Sequence, residues 1–441
     1  MAAAAQASDS TPAGPKQHIS WRQAAFIGVA AMVGAGIFSL LGAAGEVAGS
    51  AVWVSFVLAG IIAGLQGYSF ARLGARYPSA AGLLEYVRRG YGDGHFMGTI
   101  AWLVYWVNMI VTAMVAVSFG SYASALFTGD NEVWAKVFAA LIIVVMAGAN
   151  IVGATFVARA QSIIVVIVIG SLTLFAVVTL ANIDPSLLAP HTYPTFRQIF
   201  SSVALTFFAF LGFGIVTFTA KDLRQPDREL PKAIYLALAL ATAIYVAVSL
   251  GVFGTLTVTE VIASGGTALA VAAQPVLGQA GYWLMGVTGL FATAGATNGG
   301  LYPAVGLTEQ LAETRQFPPL MGRRLRGRYP FGLVLTAAVA ATMALGFSLT
   351  AIASIGSAVA LLVFMLVTIG HLRVRHETGA ATFVLWLGIL TTGLAFLVFA
   401  VTTLVQEPAS MVMLLAVIVL SAGLDWGWKR RRDDAGSAVT A

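Results

Sequence analysis

The sequence predicts an all-α integral membrane protein of about twelve spans. They form two inverted five-helix repeats, with helices one and six discontinuous, plus two C-terminal helices. Three observations predict this. The first is composition: of 441 residues, 59% are hydrophobic and 10% charged, with a mean hydropathy of +0.88. Soluble domains carry roughly 25% charged residues, so this chain could not shield its apolar surface from water. The second is the recurrence of apolar runs near the ~20 residues that one span requires. The third is a pair of glycine-broken spans in matching places, Met32-Val33-Gly34-Ala35-Gly36-Ile37-Phe38 in the first and Phe210-Leu211-Gly212-Phe213-Gly214-Ile215 in the sixth.

The spans follow in order. Residues 1–19 are small, polar and Pro-containing, without a signal-peptide cleavage pattern, and are expected to form a disordered cytosolic tail. A single transmembrane domain, 20–428, comes next. Its first repeat, 22–182, holds apolar runs at roughly 22–45, 50–73, 97–127, 133–153 and 159–182. The second, 198–372, holds runs at roughly 198–220, 233–256, 280–312, 331–347 and 351–372, of which 331–347 is the shortest. Two further runs, 381–404 and 409–428, form the addition, and a basic tail, 429–441, closes the chain. The connections are too short for a separate domain.

Basic residues set the orientation. With the N-terminus in the cytosol, all but Lys136 and Arg197 of the 24 Lys and Arg residues fall on the cytosolic side. Cytosolic loops carry this excess by the positive-inside rule, which also accounts for the net charge of +6 without nucleic acid. An even number of spans puts both termini in the cytosol, and the expected location is the cytoplasmic membrane. The absence of cysteine excludes disulfides and thiolate metal sites and says nothing of compartment. The run Lys429-Arg430-Arg431-Arg432 reads first as a topology anchor and second as a contact for anionic lipid.

Glycine weakens a helix by about 1 kcal/mol relative to alanine. Two in one turn, repeated in two spans, predict unwinding at mid-membrane, where irregular backbone survives only if buried or lining a cavity. In transporters with inverted repeats such pairs mark the substrate site. Amides freed at a break carry the positive end of the helix dipole and suit an anion. Amides of Gly34, Ala35 and Gly36 are therefore expected to hold a carboxylate, with Met32, Val33 and Ile37 around them. Carbonyls near Phe210, Leu211, Gly212 and Phe213 are expected to accept from an ammonium group. The two together describe an α-amino acid, recognised without the intramembrane charge that costs several kcal/mol. The competing reading is that the glycines serve close helix packing.

Few other polar residues lie within the spans. Asn108 and Thr112 in the third, and Thr293, Thr297 and Asn298 in the eighth, are candidates for substrate or ion contacts, with interhelical hydrogen bonding as the alternative. Asn108 and Asn298 are assigned to substrate, Thr293 and Thr297 to a coupling ion. Trp102, Tyr105 and Trp106 read as interfacial anchors. Glu46 and Glu309 are the acidic residues nearest the spans and read as interfacial carboxylates. No convergent His, Asp, Glu or Ser-base constellation appears inside the spans, so a membrane enzyme is not expected.

Four segments resemble the amino acid–polyamine–organocation superfamily of permeases, over roughly residues 20–400. Gly34-Ala35-Gly36-Ile37-Phe38 resembles its GAGIF-type break. Ala71 through Gly82 resembles its AELGxxxPxxGG loop, and Phe207-Phe208-Ala209-Phe210-Leu211-Gly212-Phe213 its FFAFxGF signature. Lys221 through Ile234 resembles its EExxxPxxxxPxAI loop. The resemblance implies the inverted-repeat fold, alternating access, and a free amino acid held by the backbone of the first and sixth helices. Four positions depart from the pattern. Gly214 stands where members often carry a polar side chain, Lys221-Asp222 replaces an acidic pair, and Arg72 replaces the glutamate of AELG. Val168 aligns with a fifth-span lysine that stands in for sodium in some members.

The expected function is secondary-active transport of amino acids, with neutral side chains because the surroundings of Gly214 lack charge. An exporter or exchanger and a polyamine or amine transporter are the alternatives. A membrane sensor that binds without moving its ligand is a further reading. No cofactor or metal is expected; the small-molecule substrate and the lipid bilayer are the partners, without nucleic acid. Coupling to H+ or Na+, direction and oligomeric state stay open.

Overall fold

A computed structural model describes residues 18–79, 82–152, 154–406 and 408–440. Nearly all of the expected N-terminal tail lies outside the described residues, as do Ala80 and Ala81 of the loop after the second span. The helices are α1 (Trp21–Ala48), α2 (Val52–Arg76), α3 (Leu83–Tyr91), α4 (His95–Phe127), α5 (Glu132–Val152), α6 (Ala154–Ala181), α7 (Phe196–Phe208) and α8 (Phe213–Val216). After them come α9 (Pro226–Phe253), α10 (Val258–Ser264), α11 (Ala268–Glu313), α12 (Phe331–Gly346), α13 (Leu349–Thr378), α14 (Thr382–Gln406) and α15 (Pro408–Thr440).

Among the described residues, ten stretches are long and apolar enough to cross a membrane. One of them, Gly36–Arg76, contains the end of α1 and all of α2, and the shorter apolar helix Phe331–Gly346 stands outside the ten. Dividing the first and adding the second recovers the twelve expected spans. At 1.5 Å per residue the 16-residue α12 is about 24 Å long, shorter than a ~30 Å hydrocarbon core.

Helix starts follow from side chains that take up free amides. Ser20 and Gln23 close a capping box on α1, Thr195 and Gln198 on α7, and Thr257 and Glu260 on α10. Three short elements were not expected from hydropathy: α3, α10 and a hairpin of β1 (Arg324–Leu325) with β2 (Tyr329–Pro330). Helix α3 is fastened to α13, with the Tyr91 hydroxyl donating to the Leu366 carbonyl at 2.6 Å and the Arg373 guanidinium 4.7 Å from the Tyr91 ring centre.

The packing repeats with two-fold symmetry. Helix α2 packs on α7 as α9 packs on α1; α6 packs on α11 as α13 packs on α4; α5 packs on α11 as α12 packs on α4. Each repeat has five spans, an odd number, so the second enters from the opposite side. Helix α1 touches α4, α7, α8, α9, α10 and α11, and so runs through the centre of the bundle. From Gly28 onward α1 is mostly buried, and a helix enclosed in this way is apolar all round.

Two expectations are corrected at the edges of the bundle. Trp102 and Tyr105 are core residues rather than interfacial anchors: the Trp102 ring stacks on Phe317 at 3.9 Å, and the Tyr105 hydroxyl donates to the Gly332 carbonyl at 3.0 Å. The segment from Lys429 is not a separate tail, because α15 continues through it. Lys429 is buried, with its ammonium group 2.8 Å from Asp425 Oδ1 and 2.8 Å from the Gly94 carbonyl. Asp425 is also buried and takes His95 Nδ1 on its other oxygen at 2.8 Å. The i,i+4 ion pair extends the helix and ties it to the start of α4.

Asp425→Ala would leave Lys429 buried without its partner. Loss of one member of a buried ion pair costs about 3–5 kcal/mol. The expected result is a large fall in the melting temperature of the purified protein, with much of it regained on adding Lys429→Met. Equal melting of Asp425→Ala and wild type would show that the pair does not hold α15.

Candidate functional site

The sixth span changes its hydrogen-bond spacing where the glycines occur. Helix α7 ends at Phe208, and the amides of Ala209, Phe210 and Leu211 bond to the carbonyls of Thr206, Phe207 and Phe208 at 3.1, 2.9 and 3.2 Å. Phe213, Gly214 and Ile215 bond likewise to Phe210, Leu211 and Gly212 at 3.0, 3.2 and 3.0 Å. The spacing is i to i+3, so the span is wound more tightly rather than opened out. Such geometry is poorer than the α-helix, and a mid-helix stretch of it often marks a hinge. The tight winding returns in the turn Thr217–Asp222, so the span has a regular upper half and an irregular lower half.

The first span is not broken. Helix α1 is continuous from Trp21 to Ala48, and the amides of Gly34, Ala35 and Gly36 lie inside its ladder. The expected discontinuity of helix one is therefore corrected, and the physical reason is packing. A Cβ on Gly36 would lie 2.7 Å from Ala209 Cα, and one on Gly212 would lie 2.6 Å from the backbone carbon of Ala31 and 2.6 Å from the Met32 nitrogen. No real Cβ tolerates such contacts, so the glycines let the two spans touch backbone to backbone. The contact offsets the low helix propensity of Gly36, as close packing of small residues does in membranes. Met32, Val33, Ile37, Phe210 and Phe213 are all buried around the crossing, and Leu211 and Gly214 are partly exposed.

The side chains that meet the break are uncharged. The Tyr245 hydroxyl of α9 donates to the Ala209 carbonyl at 2.9 Å. Below the crossing, Phe70 of α2 meets the Phe213 and Phe364 rings at 5.3 and 5.0 Å between centres, edge to face. The space beside Gly214 opens toward Phe70, whose nearest atom would be 3.9 Å from an added Cβ.

The other expected residues lie on α11 and its neighbours, and α11 meets α1 at Gly34, where an added Cβ would lie 3.3 Å from the Ala292 carbonyl. Beside Gly34, a cavity of about 10 Å³ is lined by Val33, Val165, Val168 and Ala292 among others, at the lower limit for one water. Val168 thus stands next to the first-span glycines. Thr293 and Thr297 are fully buried on α11, and their hydroxyls donate to the carbonyls of Gly289 and Thr293 at 2.7 and 2.8 Å. Asn108 donates to the Gly300 carbonyl at 2.8 Å, and Asn298 accepts from Asn150 at 2.7 Å. The bonding of both asparagines is interhelical, tying α4 and α5 to α11.

Among the buried polar groups that escaped the sequence reading, three join helices. Gln66 bonds to Gly388, Thr392 and Thr368, joining α2 to α14 and α13. His371 lies between Ser69 and Thr378 at 2.8 Å from each. Tyr245 is the third. A lone Gln or Tyr in an apolar run was the available signal, but sequence does not tell which carbonyl such a group reaches.

The all-α multi-span bundle is the architecture of a membrane transporter, and the chain belongs to the amino acid permease family, whose model matches residues 19–422. It is similar to the inner membrane transport protein YbaT of Escherichia coli (strain K12), 32% identical over 409 residues, or 92% of this chain and 95% of that one. It also resembles the vacuolar cationic amino acid transporter 2 of Arabidopsis thaliana, 28% identical over 79% of this chain and 58% of that protein. The methylthioribose transporter of Bacillus subtilis (strain 168) is 28% identical over 52% of this chain and 53% of its own. The protein is a multi-pass membrane transporter rather than an enzyme.

The glycines of the crossing should differ in tolerance. Gly212→Ala would press a methyl group on immovable backbone, and overpacking of this kind costs about 1–3 kcal/mol. Gly214→Ala, with its nearest neighbour 3.9 Å away, should stay within about 0.5 kcal/mol of wild type. Melting temperatures of the two purified variants check the order, and equal losses would refute the backbone contact.

Proposed function

We propose that this chain carries amino acids with neutral side chains across the cytoplasmic membrane by alternating access, with both termini in the cytosol. The observation that carries the reading is the uncharged tightly wound break against the glycine face of α1. Carbonyls at the break suit the ammonium group of an α-amino acid, whose two charges cancel each other, so no buried counter-charge is needed. Tyr245, Phe70 and Phe213, which surround the break, leave a side chain no charged partner.

In this reading the carbonyls of the break take the ammonium group. The amides of Gly34 to Gly36 take the carboxylate once α1 opens locally, with Met32, Val33, Ile37, Phe210, Leu211, Phe213 and Gly214 forming the walls. Asn108 and Asn298 shape the site through α11, and Thr293 and Thr297 remain the candidates for a coupling ion, since their oxygens keep acceptor capacity. The bundle of the first repeat, within 22–182, rocks or gates around the crossing with the second, 198–372. The cytosolic orientation rests on the excess of Lys and Arg in the loops that the expected topology places on that side.

Uptake into liposomes holding the purified protein tests this directly. Labelled L-alanine, L-leucine or L-phenylalanine should enter faster than L-arginine or L-glutamate. Preference for either charged amino acid over all three neutral ones would overturn the side-chain reading, and binding without any flux would make the protein a sensor.

A further inference from the structure

The bond that Tyr245 makes has no purpose in an ordinary helix. There the Ala209 carbonyl would accept from the amide of Phe213, four residues on. In this span the Phe213 amide goes to the Phe210 carbonyl at 3.0 Å, and the Tyr245 hydroxyl takes the released Ala209 oxygen at 2.9 Å. Tyr245 is fully buried, its ring set between those of Phe56 and Phe210 at 5.1 Å from each centre. Its hydroxyl also faces α1, since a Cβ on Gly36 would lie 3.0 Å from the oxygen. One O–H group therefore stands where α1, α9 and the sixth span meet, satisfying a carbonyl at the break.

We propose that the Tyr245 hydroxyl is a resident substitute for the ammonium group of the substrate at the Ala209 carbonyl, and that binding exchanges one donor for the other. The proposal rests on the amino-acid reading above. A buried carbonyl without a donor is unfavourable, so the hydroxyl keeps the crossing closed and dry. An ammonium group makes a shorter, stronger, charge-assisted bond to the same oxygen, which gives the exchange its direction. The O–H gives up this bond when the amine arrives, and that loss is the competition which substrate binding has to overcome. Tyr245 is thus a positioning residue that couples occupancy of the site to closure of the crossing. A substrate lacking the amine would leave the hydroxyl in place and gain nothing from this exchange.

The test compares binding of L-leucine and of 4-methylpentanoate, which is leucine without its amine, by titration calorimetry on the full-length purified protein. Tyr245→Phe keeps the ring and removes the competing donor. Leucine should then bind roughly tenfold more tightly, about 1.4 kcal/mol, with no change for 4-methylpentanoate. A 3-fluorotyrosine at position 245, a stronger donor on the same ring, should weaken leucine binding, and it covers the case in which Tyr245→Phe does not fold. A merely structural role would lower the melting temperature without an amine-specific change in affinity. Unchanged or weaker leucine binding by Tyr245→Phe, or unchanged binding by the fluorinated protein, overturns the proposal while the amino-acid reading stands. A wild-type protein that binds none of L-alanine, L-leucine and L-phenylalanine overturns that reading, and the proposal with it.

Discussion

Backbone meets backbone where α1 crosses the sixth span, and the architecture is arranged around that contact. Gly36 lies on Ala209 and Gly212 lies on Ala31 and Met32, so neither span can carry even a methyl group at these points. Small residues at such a crossing replace the hydrophobic driving force that a bilayer does not supply, because lipid tails are as apolar as the helices. The two repeats also touch there. With α1 held by α7 and α8, the pairings of α2 with α7 and α9 with α1 follow, and the two-fold pattern extends outward to α4, α6, α11 and α13.

The interior handles polar groups in two ways. Near the crossing every resolved bond is neutral: Tyr245 to Ala209, and Ser118 to Ser39 at 2.7 Å between α4 and α1. Away from the crossing, charged groups are paired in the Asp425 cluster and in Glu85 with Arg88 and Arg89 at 2.9 and 2.7 Å. Neutral bonds can be exchanged at modest cost, whereas a buried ion pair is costly to break. Bonds at the centre are therefore less costly to rearrange than the paired charges farther out.

Much of the fold was legible in the sequence, because a span is a local property. Twenty apolar residues must cross a bilayer as helix, since no water satisfies the backbone otherwise. The sixth-span glycines marked where the α-helix is interrupted, although the span tightens to i,i+3 bonding there instead of unwinding as expected. What lay beyond reach were features made by contacts distant in sequence. Helix α3 is polar and short, and becomes intelligible only against α13. Lys429 looked like one of four basic residues in a tail until Asp425, Gly94 and His95 were seen around it.

The two glycine pairs state the division most clearly. By itself the sequence determined that both spans have backbone exposed at matching depth, because the absence of a Cβ is written in the residue. It did not determine what meets that backbone. Tertiary structure decided that Gly36 packs on Ala209 while α1 stays helical, and that the sixth span alone tightens. A missing side chain permits either an open break or a close approach, and only the partner helix selects between them. The same holds for Tyr245, whose hydroxyl required a donor's target that no local pattern names and that the bend at Ala209 supplied.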